Sequence, residues 1–383
     1  MYNKEYLNTV LKNKEAVFVP GREKAKLIIK EHFKNGEKII IYGAGRIGEE
    51  ICEILKSAGC EPVAFLDRNA EDIKWKKGIE VYTPIDKIGG GQYKVLISLF
   101  LSKQAGQALI DDLNMLGYED VIFDKNLISC FCAWGLRQEV EERLYNSKED
   151  ILRVFSMLQD DISREVFIRN LEAHTKWDYS DVIQQTDMEQ YFDVRVPFLK
   201  GYSNFVDCGA YIGDSFIEMI KRHKCDSYIA FEPDLDNFKK LTQTIEEYGQ
   251  DTEEVLLYPC AVSDKNGYLF FHSDGSTGGC LCTEEDSSEM ISTVNLDSVL
   301  KKKQVGMIKM DIEGAEIDAL KGAHRIITEQ KPDLAICVYH TISDLWKIPL
   351  LIKEMSEDYV FYLRCHAPWS VETVLYATTK DKM

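Results

Sequence analysis

Apolar positions along the chain fall into two recurring arrangements. Short runs rich in β-branched residues, such as Lys38-Ile39-Ile40-Ile41-Tyr42, read as buried strands. They alternate with stretches whose apolar residues recur three and four apart, as Ile47, Ile51, Ile54 and Leu55 do. The first series predicts strands at Lys38–Tyr42, Pro62–Asp67, Lys94–Leu101 and Val121–Phe123, with helices after the first strand and over Gln104–Leu116. Such alternation implies a parallel sheet with helices on its faces. Residues 131–195 read as mostly helical, with helices over Glu139–Leu158 and Asp161–Leu171.

A second series begins near Phe205. It predicts strands at Asn204–Asp207, Tyr228–Glu232, Val255–Tyr258, Gly306–Met310, Asp333–Val338, Tyr359–Arg364 and Thr373–Ala377. Helices fit at Ser215–Arg222, Leu235–Tyr248 and Ala315–Lys321, and the Gly-, Ser- and acid-rich stretch Asp264–Thr293 reads as a hairpin or flap. The expected fold class is therefore α/β with two Rossmann-like units. A small N-terminal parallel-sheet domain with a leading helix spans 1–130, a helical connector spans 131–195, and a larger seven-stranded domain spans 196–383.

Composition narrows the classes. At 383 residues, 45% hydrophobic and 29% charged, the chain has material for two or three packed domains and is neither disordered nor low-complexity. Its longest apolar run, Val95–Leu101, is far short of the ~18 residues of a membrane span. No basic segment followed by an apolar one opens the chain, and eleven cysteines are too dilute for a disulfide scaffold, so a cytoplasmic location is expected. Residues 1–130 hold 19 basic and 19 acidic side chains, so the whole net charge of −18 belongs to the later part. An anionic surface disfavours nucleic acid and membrane as partners.

Two strand–turn–helix junctions carry glycines of different spacing. In the later one, Phe205-Val206-Asp207-Cys208-Gly209-Ala210-Tyr211-Ile212-Gly213-Asp214, an acid closes the strand and the glycines stand four apart. Glycine lets the backbone pass close to a ligand, a helix N-terminus can receive a carboxylate, and Asp207 can accept from an ammonium group. Glu232, in Phe231-Glu232-Pro233-Asp234, ends the next strand and is placed to take the two hydroxyls of a ribose. Together these point to a nucleoside bearing an amino-acid group.

The later half resembles the FkbM family of S-adenosylmethionine-dependent methyltransferases. The resemblance rests on Val206–Asp214, Ala230–Asp234, Ala261-Val262-Ser263-Asp264, Asn295–Leu300 and, most specifically, Ile308-Lys309-Met310-Asp311-Ile312-Glu313-Gly314-Ala315-Glu316. It covers about residues 150–380 and implies a class I methyltransferase domain with S-adenosyl-L-methionine as cofactor. By that resemblance Asp207, Gly209, Ala210 and Gly213 lie along the methionine part. Glu232 and Pro233 lie by the ribose, and Ala261 and Val262 by the adenine.

The earlier junction, Gly43-Ala44-Gly45-Arg46-Ile47-Gly48 followed by Asp67, matches the dinucleotide fingerprint in its strand–turn–helix context. The domain has only one mononucleotide-binding half and no room for a separate hydride-transfer site. It resembles the short nucleotide-binding domains of bacterial sugar acyltransferases, which implies a nucleotide or nucleotide-sugar ligand at Gly43, Gly45, Gly48 and Asp67. NAD(H) binding and a packing role remain alternatives.

Methyl transfer to a hydroxyl needs a proton acceptor beside the reacting oxygen. Asp311 is the leading candidate, at the fourth strand's tip, where it could equally cap the helix that follows. Glu313 is placed to share the site or bind substrate. His340, after the fifth strand, is a second proton acceptor, and His366 ends another strand. Asp311, Glu313 and His340 could instead hold a divalent metal, an alternative ranked behind a direct base; no metal is expected. Cys130-x-Cys132 and Cys280-x-Cys282 have the wrong spacing for zinc. Tyr191 and Phe192 read as core residues or as a wall of the cofactor pocket. The function expected is O-methylation of a hydroxyl on a small-molecule or glycan acceptor, such as a sugar. An NAD(P)-dependent oxidoreductase acting through Gly43–Gly48 and a non-catalytic nucleotide-binding scaffold are the alternatives.

Overall fold

A computed structural model of the chain describes residues 2–11, 21–86, 88, 93–101, 103–131, 144, 146–176, 190–272, 280–281 and 289–380. These residues form two compact units. The smaller comprises residues 10–143 and 169–183. The larger comprises 1–9, 144–168 and 184–383. The segment read as a connector is thus shared between the units, and its helix Asp161–Lys176 belongs to the larger unit through Ile168. Cys132 and Cys282 lie outside the described residues.

The smaller unit is a six-stranded sheet. Its strands are β1 (Lys38–Tyr42), β2 (Glu61–Leu66), β3 (Trp75–Lys76), β4 (Ile79–Tyr82), β5 (Lys94–Ile97) and β6 (Val121–Ile122), in the order β3-β4-β2-β1-β5-β6. All pairings are parallel except β3 with β4. The β3–β4 hairpin is absent from the sequence reading. Its two-residue turn, Lys77-Gly78, has positive φ at both positions, the geometry that matches strand twist and tolerates glycine best. At the fingerprint, a Cβ on Gly48 would lie 2.0 Å from the Gly43 carbonyl oxygen. Only glycine lets the helix Arg46–Ser57 pack this close to the turn after β1. Asp67 accepts from the N–H groups of Ala44 and Asn69 at 2.8 and 2.9 Å, so the strand-tip acid ties the glycine turn to its own loop.

The larger unit is built on a seven-stranded sheet made of β7 (Asn204–Cys208), β8 (Ser227–Phe231), β9 (Glu254–Tyr258), β14 (Met307–Met310), β15 (Asp333–Cys337), β16 (Tyr359–Cys365) and β17 (Thr373–Thr379). Their order is β16-β17-β15-β14-β7-β8-β9. The five central and far strands run parallel, while β17 is antiparallel to both β15 and β16. The order reverses between β7 and β14, which opens a crevice at their carboxyl ends. A smaller sheet of β10 (Ala261–Val262), β11 (Gly267–His272), β12 (Cys280–Leu281) and β13 (Glu289–Val294) fills the stretch read as a hairpin, with β11 and β13 antiparallel. The helix Asp344–Met355 is also absent from the sequence reading, and it carries Pro349 within it. Its apolar residues Leu345, Trp346, Ile348 and Ile352 are buried, and that burial outweighs the hydrogen bond that proline removes.

Arg364 anchors the sheet's outer edge. Fully buried on β16, it donates to Asp193 (3.1 Å), Asp160 (2.6 Å) and Ser163 (2.9 Å). Ser163 in turn accepts from the Leu363 N–H at 2.9 Å, and the Gln159 N–H donates to the Phe361 carbonyl. Residues 158–163 are thereby fastened to β16. Burial would raise the Asp160 carboxyl, but the Arg364 guanidinium and Ser163 hold it below the usual range. Arg364→Met strands Asp160 and removes one partner of Asp193. It is expected to destabilise the larger unit by about 3–5 kcal/mol, seen as a lowered urea midpoint in far-UV circular dichroism. A change under about 1 kcal/mol would show the cluster to be dispensable.

Candidate active site

The cavity at the sheet's carboxyl edge lies within the larger unit and has a volume of about 360 Å³. Its position follows from the tips of β7, β8, β14 and β15. Gly209, after β7, has φ +78°, and a Cβ there would lie 1.9 Å from the Asp311 carbonyl oxygen. Glycine therefore sets how closely the turns after β7 and β14 approach. Gly213, at φ +88°, is crowded by Leu241 and Thr244 of the helix Leu235–Tyr248. Nine described non-glycine residues have positive φ, and four of them, Tyr191, Tyr211, Glu313 and Glu372, line this cavity. Backbone strain of this kind concentrates at functional sites.

Lys309 lines the floor of the cavity. It stands in a β14 whose four residues are all buried, and its Nζ lies 3.0 Å from Asp207 Oδ1. The same ammonium donates to the Gly209 carbonyl at 2.5 Å and sits 5.1 Å from the centre of the Tyr191 ring. Burial alone would lower its pKa, but Asp207, Asp311 and Asp214 hold it well above the ordinary lysine value. The other Asp207 oxygen accepts from Ser215 and Tyr228 at 2.5 and 2.8 Å. Asp207 is thus fully buried under the cavity rather than on its wall, and its carboxylate positions Lys309 and the turn.

Glu232, at the tip of β8, lines the cavity. Its two oxygens accept from the N–H groups of Tyr211 and Asp234, each at 2.9 Å. Burial pushes its carboxyl up to about 7 despite those bonds. Pro233, Ala261 and Val262 line the same end with Phe231 and Cys260. The ring of Phe231 stacks on Tyr258 with centroids 5.0 Å apart. Of the other residues singled out in the sequence, Gly209 lines the cavity, whereas Ala210 and Gly213 shape it from behind.

At the opposite end Asp311 Oδ2 accepts from the Tyr191 hydroxyl (2.8 Å) and Oδ1 from the Tyr339 hydroxyl (3.2 Å). Burial opposes its charge, but His340, Lys309 and Tyr191 hold its carboxyl below the usual range. Glu372 stands beside it, the two carboxylates within 4.8 Å, is bonded to Gln190, and is pushed up to about 7 by burial and by the Asp311 charge. His340 Nε2 lies 3.5 Å from Asp311 and 3.6 Å from Glu313, and Nδ1 lies 3.0 Å from Glu316. Burial would lower the imidazole, yet Glu316, Asp311 and Glu313 raise it to about 10. With no cation beside it, His340 is thereby held toward the imidazolium form. His366 is elsewhere, buried against the Tyr376 hydroxyl at 2.8 Å, and does not line the cavity.

Four contributors escaped the sequence reading. Lys309 had a visible signal, a lysine inside an apolar strand. Tyr339 is the residue before His340. Gln190 and Glu372 had none, because they meet Asp311 only through the folding of segments some 180 residues apart. Tyr191 was weighed mainly as core. Both it and Phe192 belong to the buried core, and Tyr191 also lines the cavity and holds Asp311.

The buried Lys309–Asp207 contact makes a double-mutant test. Lys309→Met leaves a buried carboxylate uncompensated and is expected to cost about 3–5 kcal/mol in urea unfolding. Lys309→Met with Asp207→Asn is expected to recover at least about 1 kcal/mol of that loss. Strict additivity of the two substitutions would show that the pair does not interact.

One solved structure shares this architecture. A chain described as methyltransferase FkbM from Methylobacillus flagellatus KT shares the fold with a TM-score of 0.66 at 20% identity, over 97% of this chain and 98% of that one. A methyltransferase from Geobacter sulfurreducens aligns with a TM-score of 0.32 at 14% identity, over 61% of this chain and 96% of that one. No curated protein matches the chain. Residues 207–362, from the Asp207 beneath the cavity through its Asp311 and His340 rim, match the methyltransferase FkbM domain, and the chain therefore carries a methyltransferase domain of that kind.

Proposed function

We propose that the chain is an S-adenosylmethionine-dependent O-methyltransferase acting on a hydroxyl of a polyhydroxylated acceptor such as a sugar. The observation that carries this reading is the polarity of one cavity. A ribose-type carboxylate, Glu232, stands at one end, and an ionised carboxylate, Asp311, stands at the other beside hydrogen-bonding side chains. Among the described residues Lys309 is the one basic side chain on its wall, against Asp214, Glu232, Asp234, Asp311, Glu313 and Glu372. Such an excess of carboxylates suits a cationic cofactor. S-adenosylmethionine supplies an electrophilic methyl group on a sulfonium.

Each residue then has a task. Glu232 keeps lone pairs toward the cavity for two ribose hydroxyls, and Ala261, Val262 and Phe231 offer an apolar slot for a base. Asp311, whose carboxyl is held below the usual range, would accept the acceptor's hydroxyl proton as the acceptor oxygen bonds to the methyl carbon and the sulfur–methyl bond breaks, releasing S-adenosylhomocysteine. Tyr191 and Tyr339 aim the Asp311 carboxylate. Glu313, Glu372 and Gln190 are placed to take further hydroxyls, which is the support for a sugar-like acceptor. For the smaller unit we carry forward a nucleotide or nucleotide sugar at the Gly43–Gly48 turn.

Calorimetric titration of S-adenosylmethionine and S-adenosylhomocysteine tests the cofactor, and absence of binding by both would overturn the reading. A screen of sugars and nucleotide sugars for S-adenosylhomocysteine release then finds the acceptor. With an acceptor in hand, Asp311→Asn is expected to keep near-wild-type cofactor affinity and lose turnover by about 10²–10⁴. Normal turnover would leave Asp311 a structural residue.

Glu232 adds a pH signature. Its carboxyl titrates at about 7, so most of it is ionised at pH 8 and little at pH 6. If only the carboxylate accepts from both ribose hydroxyls, affinity for S-adenosylhomocysteine falls by about tenfold between pH 8 and pH 6. Glu232→Gln is expected to weaken binding and to flatten that profile. A flat profile in the unaltered protein would remove Glu232 from the ribose site.

A further inference from the structure

His340 is held as metal-ligating histidines are held. Its imidazole is 93% buried at the tip of β15, and neither ring nitrogen has a partner in hydrogen-bond geometry among the described residues. That nitrogen faces Asp311 Oδ1 at 3.5 Å and Glu313 Oε2 at 3.6 Å, and the three atoms lie within 4.8 Å of one another. Atoms each about 2.1 Å from one ion stand about 3.0–3.5 Å apart in octahedral or tetrahedral geometry. A direct charged hydrogen bond would instead close to about 2.7–2.9 Å. On the far side Nδ1 lies 3.0 Å from Glu316 Oε1, an oxygen that also accepts from the Ile312 N–H. A carboxylate at this distance from the second nitrogen is placed to set the tautomer and the angle of a metal-bound imidazole. Glu313 reaches this point through a turn with φ +55°, followed by Gly314 at +96°.

We infer that Asp311, Glu313 and His340 form a divalent-cation site in which the cation takes the place of the His340 Nε2 proton, with Glu316 as the positioning residue for His340. Two carboxylates favour a hard ion, and the imidazole shifts the choice from Mg²⁺ toward Mn²⁺. A second cluster, Asp311, Cys337 and Glu372, is less suited because Cys337 Sγ is already engaged at 3.6 Å by the Tyr191 hydroxyl. Asp311 and Glu313 line the cavity, so the remaining coordination positions open toward an acceptor. An acceptor hydroxyl coordinated there would lose its proton more readily. The site's purpose rests on the hydroxyl-methylating reading; its existence does not.

The test is titration of Mn²⁺ into the full chain, followed by loss of the free-ion signal in electron paramagnetic resonance. S-adenosylhomocysteine binding and circular dichroism are measured on the same samples. One Mn²⁺ per chain is expected, with Kd below about 1 mM. Glu313→Gln and His340→Gln are each expected to weaken it by at least about tenfold. Glu357→Gln, at an exposed acid elsewhere, should leave it unchanged. No saturable binding to the folded protein, or binding equal in all variants, overturns the site. Mn²⁺ bound as expected by a chain that ignores S-adenosylhomocysteine supports the site and overturns the proposed cofactor instead.

Discussion

The burial of one ammonium group, that of Lys309, governs the methyltransferase domain. It stands in an otherwise apolar strand, with Asp207 and the Gly209 carbonyl as its nearest partners. A lone charge at this depth would be costly, and the neighbouring carboxylates keep it ionised. The contact ties the tips of β7 and β14 together at the point where strand order reverses. It also brings Gly209 against Asp311, so that the cavity floor and its reactive rim share one support. Asp207, Ser215 and Tyr228 complete the pairing from below.

Charge around the cavity is graded rather than uniform. Asp311 is held below the usual range by His340, Lys309 and Tyr191, while burial pushes Glu232 and Glu372 up to about 7. Carboxyl groups pushed apart in this way can take different tasks at one pH. Three carboxylates, those of Glu316, Asp311 and Glu313, raise the His340 imidazole against the effect of its burial.

Both units place an acid at the tip of the second strand of their β–turn–α opening, and both use it in a similar manner. Asp67 accepts from Ala44 and from the amide two residues ahead. Glu232 accepts from Tyr211 and likewise from the amide two residues ahead. The difference lies in the surroundings. Glu232 opens on a cavity lined by apolar and acidic groups, whereas Asp67 serves the turn between Gly43 and its own loop.

The linear pattern of residues determined the α/β class, all seven strands of the larger sheet to within two residues, and the tips carrying Gly209, Glu232, Asp311 and His340. Those features are local: period, glycine and strand-end acids are written in consecutive residues. What depended on contact between distant segments was decided only by the tertiary structure. The Lys309–Asp207 pairing joins residues about 100 positions apart, and the Gln190–Glu372 contact joins residues 182 apart. The helix Asp344–Met355 contradicts the local signal of Pro349 because burial of its apolar face overrides it. Protonation was likewise invisible in the sequence. A side chain's pKa is set by its depth and by the charges folded around it, and neither exists before the chain has packed.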